Sequence, residues 1–419
     1  MKLGAELAPA LAEAARVVSA VAAGSSLDEV LERGPGREAV MDLCFSTLRH
    51  YGRVQALEQM LSVRGRAAPR IRALLWCALS AAEREQYAPH TLVDQAVRAC
   101  GILEQPHARG YVNGVLRRYL RERDAAERRL GTSEEASLQH PAWWIERLRR
   151  DHPVQWRSIL DAGNSHPPLC LRVNRRRIQV EAYRRRLEGA GISGRQIGEC
   201  AILLDRPIPV ARLPGFAEGE VSVQDAGAQR CAAVLDLADG QRVLDACAAP
   251  GGKAAHILES AEVRLVALDA SGPRAARIES ALTRLGLLAE VRVADCTALP
   301  SWWDGRPFDR VLADVPCTGS GVVRRHPDMK WLRRPDDVRE FAARQQAILE
   351  ALWRVVAPGG KLLYVTCSVF REENDAVLET FGGRHPDAVR ENLPGGAMPQ
   401  LLPCAEHDGF FFGLLTKAA

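Results

Sequence analysis

Six apolar runs in the second half of the chain, separated by segments of helical character, constrain the fold more than any other feature. "RVLDAC", "VRLVALDA", "AEVRVAD", "FDRVLAD", "GKLLYVTC" and "GFFFGLLTK" succeed one another from Gly240 onward. Runs of this length alternating with helices predict a mostly parallel, doubly wound α/β sheet. Ligands of such sheets bind outside the carboxyl ends of the strands. The residues that close these runs are therefore the first candidates for chemistry.

The chain of 419 residues is too long for one ordinary domain. Residues 1–125 read as all helix. "GREAVMDLCFSTLRHYG", "RIRALLWCALSAAERE", "TLVDQAVRACGIL" and "YVNGVLRRYLRE" each repeat apolar residues at three- and four-residue intervals. The N-terminal "MKLGAELAPALAEAARVVSAVAAG" fits an amphipathic helix better than a signal peptide, because Glu6, Glu13 and Arg16 interrupt its apolar run. The polar stretch 126–139 reads as a linker. Residues 140–239 form a small α+β unit, and 240–419 the α/β domain. Arginines cluster in the middle unit at Arg147, Arg149 and Arg150, at Arg175, Arg176 and Arg177, and at Arg184 to Arg186. Three such runs beside a catalytic domain suggest a polyanion partner, although the net charge is only +4.

Eleven scattered cysteines, with no CxxC pair and no Cys/His zinc spacing, argue against a disulfide framework and a metal site. No apolar run is long enough to span a membrane. A cytoplasmic monomer with reduced thiols is expected.

"LDACAAPGGKAAHILE" is a strand, a small-residue turn and a helix start. Small residues allow close backbone approach, and free amides at a helix start hold an anion. The stretch is neither the dinucleotide fingerprint nor a P-loop, which disfavours an NAD enzyme. Asp269, Asp295 and Asp314 then close three consecutive strands. A nucleoside with an anionic tail and no pyrophosphate suits this end of the sheet, and S-adenosylmethionine is the expected cofactor. The turn amides would meet its carboxylate, Asp269 its ribose and Asp295 its adenine or the surroundings.

Two cysteines, Cys317 in "DVPC" and Cys367 in "YVTCSV", close two successive strands. Enzymes that methylate a base nitrogen use Asn or Asp before Pro-Pro-aromatic, which Asp314-Val315-Pro316-Cys317 does not match. Carbon 5 of a pyrimidine needs activation. A thiolate that adds to carbon 6 makes an enamine whose carbon 5 can attack a sulfonium methyl. One thiol suffices for attack, and the second could discharge the adduct. The residues alone leave open which is which. A lone cysteine at either position would read as a small buried residue.

"DACAAPGGK", "ADVPCTGSGVVRRHPDMKW" and "YVTCSVFREEN" together resemble the motifs of the RsmB (Fmu/Sun) group of bacterial 16S rRNA cytosine-C5 methyltransferases, in the wider NOL1/NOP2/Sun family. "HPPLCLRVN" and "SVQDAGAQ" extend the likeness upstream, and "YVNGVLRR" resembles a NusB-like domain. The resemblance implies a NusB-like helical RNA-binding domain, an RRM-like α+β subdomain and a Rossmann-like class I methyltransferase domain. It implies small-subunit rRNA as substrate. It also implies cofactor contacts from Cys247, Ala248, Ala249, Pro250, Gly251, Gly252 and Lys253, with Asp269, Asp295 and Asp314. Cys367 matches the nucleophile, Cys317 the residue of adduct release, and Asp314 a further contact to the target base. Val315, Thr318, Ala254 and Ala255 depart from the commoner residues of these motifs. Arg175, Arg176, Arg177, Arg184, Arg324, Arg325 and His326 are candidate RNA-backbone contacts. A tRNA cytosine methyltransferase and a non-catalytic RNA-binding scaffold are the rival readings.

Overall fold

The computed structural model describes residues 7–32, 36–62 and 67–419, so Glu6 lies outside the described residues. The chain forms two units, one of residues Met1–Ser165 with Val323–Arg334 and the other of His166–Val322 with Pro335–Ala419.

The first unit is helical. Helix Leu7–Ala22 buries Leu7, Leu11, Ala14, Val18 and Val21 along one stripe, the spacing of an amphipathic helix. Helix Pro69–Glu83 starts with proline, which lacks only an amide that would be unpaired there. It is buried from Ala73 through Ala81 and packs against the first helix and helices Glu38–Arg49 and Pro89–Ile102. The expected linker is structured instead. Helix Arg109–Leu130 runs well past 125, and Glu134–Leu138 follows, capped by Ser133. Ala126, Leu130 and Ala136 are buried in the helical core, so a polar stretch with few apolar anchors is held in place by them. Helices Ala142–Asp151 and Trp156–Asn164 pack with this unit, which runs through Ser165.

Residues 323–334 complete the helical unit. Asp328 accepts the Leu27 amide at 2.9 Å. Lys330, without solvent exposure, donates to the Arg49 carbonyl at 2.9 Å and to Asn164 Oδ1 at 2.8 Å. Trp331 donates to the Leu48 carbonyl and packs edge-on against Tyr51. Its ring lies where a side chain on Gly52 would be, 2.6 Å from an added Cβ, so only glycine fits there. Burial holds the Lys330 amine well below its usual range.

The second unit contains two sheets. Strands β1 (Cys170–Val173), β2 (Gly194–Gln196), β3 (Ala201–Leu204) and β4 (Val221–Val223) make an antiparallel sheet in the order β2-β3-β1-β4. Helix Val180–Gly189 buries Tyr183 and Leu187 against it. The large sheet contains β5 (Arg242–Asp245), β6 (Arg264–Asp269), β7 (Glu290–Val293), β8 (Phe308–Asp314), β9 (Val356–Thr366), β10 (Ala388–Arg390), β11 (Gln400–Leu401) and β12 (Phe410–Lys417). Its order is β10-β12-β9-β8-β5-β6-β7, with β5 to β9 mutually parallel and β12 antiparallel. Leu362 and Tyr364 of β9 enter the core on one face while Leu363 and Val365 enter it on the other, which is why this strand reads as an unbroken apolar run. Helix Ala226–Val234 packs in the same core through Ala228, Cys231 and Val234, so the α/β domain starts ahead of residue 240. No helix among the described residues is long and apolar enough to cross a membrane.

The chain steps one way from β5 to β6 and β7 and the other way to β8 and β9. The crevice of such a sheet opens where the direction reverses, outside the carboxyl end of β5.

Candidate active site

Four carboxylates close consecutive parallel strands at this crevice. Asp245, at the end of β5, has no solvent exposure, and neither oxygen accepts a well-formed hydrogen bond. Burial first, and then the nearby Asp314, push its pKa up to about 7, only partly opposed by Lys253 and the Cys247 amide. Asp269 ends β6 and accepts the Ser271 amide at 3.0 Å, with Arg274 at 3.3 Å from its other oxygen. Asp295 lies two residues past β7, where the Thr297 amide and hydroxyl hold its carboxyl below the usual range. Asp314 ends β8 and pairs with Lys253 Nζ at 2.5 Å.

Lys253 rises from the first turn of helix Gly252–Ser260, which follows the small-residue turn after β5. Burial works against its charge, but Asp314 and the nearby Cys231 and Cys367 more than offset this and raise its pKa. Gly251 has φ +98°, and an added Cβ would stand 3.1 Å from the Ile278 backbone. Only glycine allows the turn to approach helix Gly272–Leu285, which carries Ile278, this closely. Beside it, the Cys247 thiol is held protonated, first by its hydrogen bond with Cys296 and then by burial.

Cys317 follows β8 and Cys367 follows β9, and their sulfur atoms lie 3.3 Å apart. A disulfide would need about 2.05 Å; the two are free thiols in hydrogen-bond contact. The hydrogen bond with Cys367, then burial, raises the Cys317 pKa. Lys253, paired with Asp314, also lies near Cys367.

Ribosomal RNA small subunit methyltransferase B of Salmonella arizonae is 39% identical to this chain over 417 residues, covering 96% of each. This chain belongs to the RsmB/F family of 16S rRNA methyltransferases. The family model described as 16S rRNA methyltransferase RsmB/F matches residues 232–416, a ferredoxin-like domain of RsmF/B-like methyltransferases matches 140–211, and the NusB family matches 10–121. The fold is therefore a NusB-type helical domain, a ferredoxin-like middle domain and a Rossmann-like methyltransferase domain. In the solved structures, PH0851 superposes with a TM-score of 0.81 at 24% identity over 97% of this chain and 99% of its own. A methyltransferase homolog protein from Pyrococcus horikoshii gives 0.60 at 26% identity over 68% and 97%.

The RsmB/F family's ferredoxin-like match starts at 140, whereas contacts place residues up to Ser165 with the helical unit. The small antiparallel sheet itself lies wholly on the methyltransferase side of that boundary.

The structure brings together the turn after β5, Asp314, Cys317 and Cys367, but it does not gather the arginines. Arg175 is paired with Glu199, Arg176 with Glu262 at 2.7 Å, and Arg184 with Glu181 at 3.3 Å. Arg177 donates to the carbonyls of Glu218 and Leu285. His326 faces Asp28 at 3.7 Å, and Arg325 is half-buried. Arg324 is only 2% exposed, which withdraws its guanidinium from any surface RNA contact.

Sequence reasoning passed over Asp245, Arg172 and Glu373. Arg172 sits in β1 without solvent exposure, bonded to both oxygens of Glu259 at 2.8 Å and to the Gly252 carbonyl at 2.6 Å. It ties the small sheet to the helix that opens the cofactor end. A charged residue inside the otherwise apolar run "LCLRV" was the available signal.

Proposed function

We propose that this protein methylates carbon 5 of a cytosine in small-subunit rRNA, in the cytoplasm, with Cys367 as nucleophile. The observation that carries this reading is the pair of thiols at the ends of adjacent strands, their sulfurs 3.3 Å apart. Two thiols at the ends of adjacent strands, close enough for one to attack and the other to assist its departure, are what an attack-and-release chemistry needs.

The site fits S-adenosylmethionine. A buried carboxylate lacking well-formed partners, at Asp245, is one that an ammonium group would satisfy. The turn from Cys247 through Gly252 and the start of the following helix would hold the cofactor's carboxylate, Asp269 its ribose hydroxyls, and Asp295 the adenine side. When bound, the cofactor supplies a methyl group on a sulfonium. Cys367 adds to carbon 6 of the cytosine, which makes carbon 5 nucleophilic toward that methyl. A base then removes the carbon-5 proton, and the bond between Cys367 and carbon 6 breaks. Cys317 donates a hydrogen bond to the thiolate that departs. Asp314, held by Lys253, contacts the target base.

Asp245 gives a pH test. The folded carboxyl keeps its proton up to about pH 7, against an ordinary value of 3.8. The folded state therefore binds more protons than the unfolded one in between, and this group makes stability fall as pH rises through that window. An ammonium partner favours the ionised form. Cofactor affinity is thus expected to rise with pH and level off above about 7. Calorimetric titration of wild type and Asp245→Asn checks this; the variant should bind more weakly and lose the pH dependence.

Arg175, Arg176, Arg177 and Arg184 are exposed or half-exposed, and surface ion pairs such as theirs are worth only about 0–1 kcal/mol. They can exchange carboxylates for phosphates. Replacing Arg175 and Arg176 together by alanine should weaken RNA binding at low salt and reduce the salt dependence by about two phosphate contacts. An unchanged slope would remove them from the interface.

Transfer of labelled methyl groups to purified small-subunit rRNA, but not to tRNA, tests the substrate, with the product located as 5-methylcytosine. Methylation of tRNA alone would move this chain to the tRNA reading.

A further inference from the structure

Both thiol loops converge on one buried side chain that the reaction does not consume. Glu373 has no solvent exposure. Its Oε1 accepts the Thr318 amide at 2.8 Å, and its Oε2 accepts the Thr318 hydroxyl at 2.5 Å and the Ser368 hydroxyl at 2.6 Å. Thr318 follows Cys317 in sequence and Ser368 follows Cys367. One carboxylate is thus bonded to the immediate neighbour of each sulfur.

The surrounding groups fix the carboxylate in turn. Gln345 donates to Glu373 Oε1 and, at 2.9 Å, to the carbonyl of Pro316, the residue before Cys317. The Tyr364 hydroxyl donates to the Glu373 carbonyl at 2.6 Å. Asn374 donates to the Ser368 carbonyl at 2.9 Å. A second tie runs directly between the loops: the Ser320 hydroxyl meets Ser368 Oγ at 2.9 Å and accepts the Val369 amide at 2.8 Å.

Burying a carboxylate among neutral donors is a costly way to join two loops, because apolar packing would join them without desolvating a charge. What the carboxylate adds is direction, since it fixes both partners by bonds of set length. We propose that Glu373 is a positioning residue that sets the spacing of Cys317 and Cys367, an inference whose catalytic consequence rests on the cysteine mechanism above.

The test couples a readout of sulfur spacing to a readout of catalysis. Diamide, an azo oxidant, converts two neighbouring thiols to a disulfide and is itself reduced to the hydrazine. The rate of Cys317–Cys367 bond formation, followed by mass spectrometry, therefore reports how well the two sulfurs are held together without any methyl transfer. In Glu373→Ala that rate should fall by about 10-fold, and kcat by about 100-fold with KM for the cofactor unchanged, the scale of a 1 Å misplacement of reacting groups. Glu373→Gln, which can still bridge Thr318 and Ser368, should stay within about 3-fold of wild type in both. If Glu373→Ala does not fold, Ser368→Ala cuts the Cys367 side alone and should lower both rates in the same direction.

A folded Glu373→Ala protein with wild-type disulfide rate overturns the proposal, whatever its kcat. Should wild type methylate no RNA while the disulfide rate still depends on Glu373, the methyltransferase reading fails and the positioning role stands.

Discussion

Cys367→Ala is expected to lower methyl transfer by about 10⁴-fold or more, the scale on which enzymes lose activity when a covalent nucleophile is removed. Cys317→Ala should instead trap the RNA on the protein. The asymmetry follows from the thiol pair: Cys317 lies 3.3 Å from Cys367, close enough to give the departing sulfur a hydrogen bond. Without that donor, the Cys367 thiolate is a poorer leaving group, and the bond to carbon 6 persists. The measurement is a denaturing gel of each variant after incubation with small-subunit rRNA and S-adenosylmethionine. A band retarded by covalent RNA in Cys317→Ala and missing in Cys367→Ala is the expected result. The opposite pattern would assign the attack to Cys317.

The second large effect is on stability. Arg172 and Glu259 form a buried pair, their side chains 0% and 4% exposed. Arg172 also donates to Gln224 and to the carbonyl of Gly252. Arg172→Met leaves the Glu259 carboxylate buried without its counter-charge, which typically costs about 3–5 kcal/mol. For a unit of this size that is a fall in Tm of about 6–20 °C. Replacing both members, Arg172→Met with Glu259→Leu, should recover most of the loss, because an apolar pair of similar volume carries no desolvation penalty. Thermal unfolding of the three proteins decides it. Equal loss in the single and double variants would show that the charge is not what holds the sheet to the helix.

Much of the catalytic domain was legible in the sequence because strands such as β5, β6 and β9 are buried on both faces and so read as apolar runs, each closed by a residue of distinct chemistry. The short edge strands β10 and β11 were not legible. Three residues of mixed polarity, Ala388–Arg390, and the pair Gln400–Leu401 carry no periodicity to read. Residues 126–139 were mistaken for a linker because the burial of Ala126, Leu130 and Ala136 is hidden among charges. Arginine runs suggested a polyanion, yet several of these side chains answer acids brought near by folding, such as Glu199 and Glu262. Asp245 and Glu373 were present in the quoted motifs, but their significance lies in burial, which a sequence does not display. For Glu373, it is the meeting of residues fifty-five positions apart, Thr318 and Glu373, that makes it a tie.

The segment Val323–Arg334, which finishes the helical unit, has a consequence for the order in which the protein is made. The first 165 residues leave the ribosome as a helical assembly still missing the piece that carries Lys330 and Trp331. That piece is synthesised only after β5 to β8 and directly after the stretch containing Cys317. The amino-terminal unit is thus begun first but closed late, and its last part arrives from within the catalytic sequence.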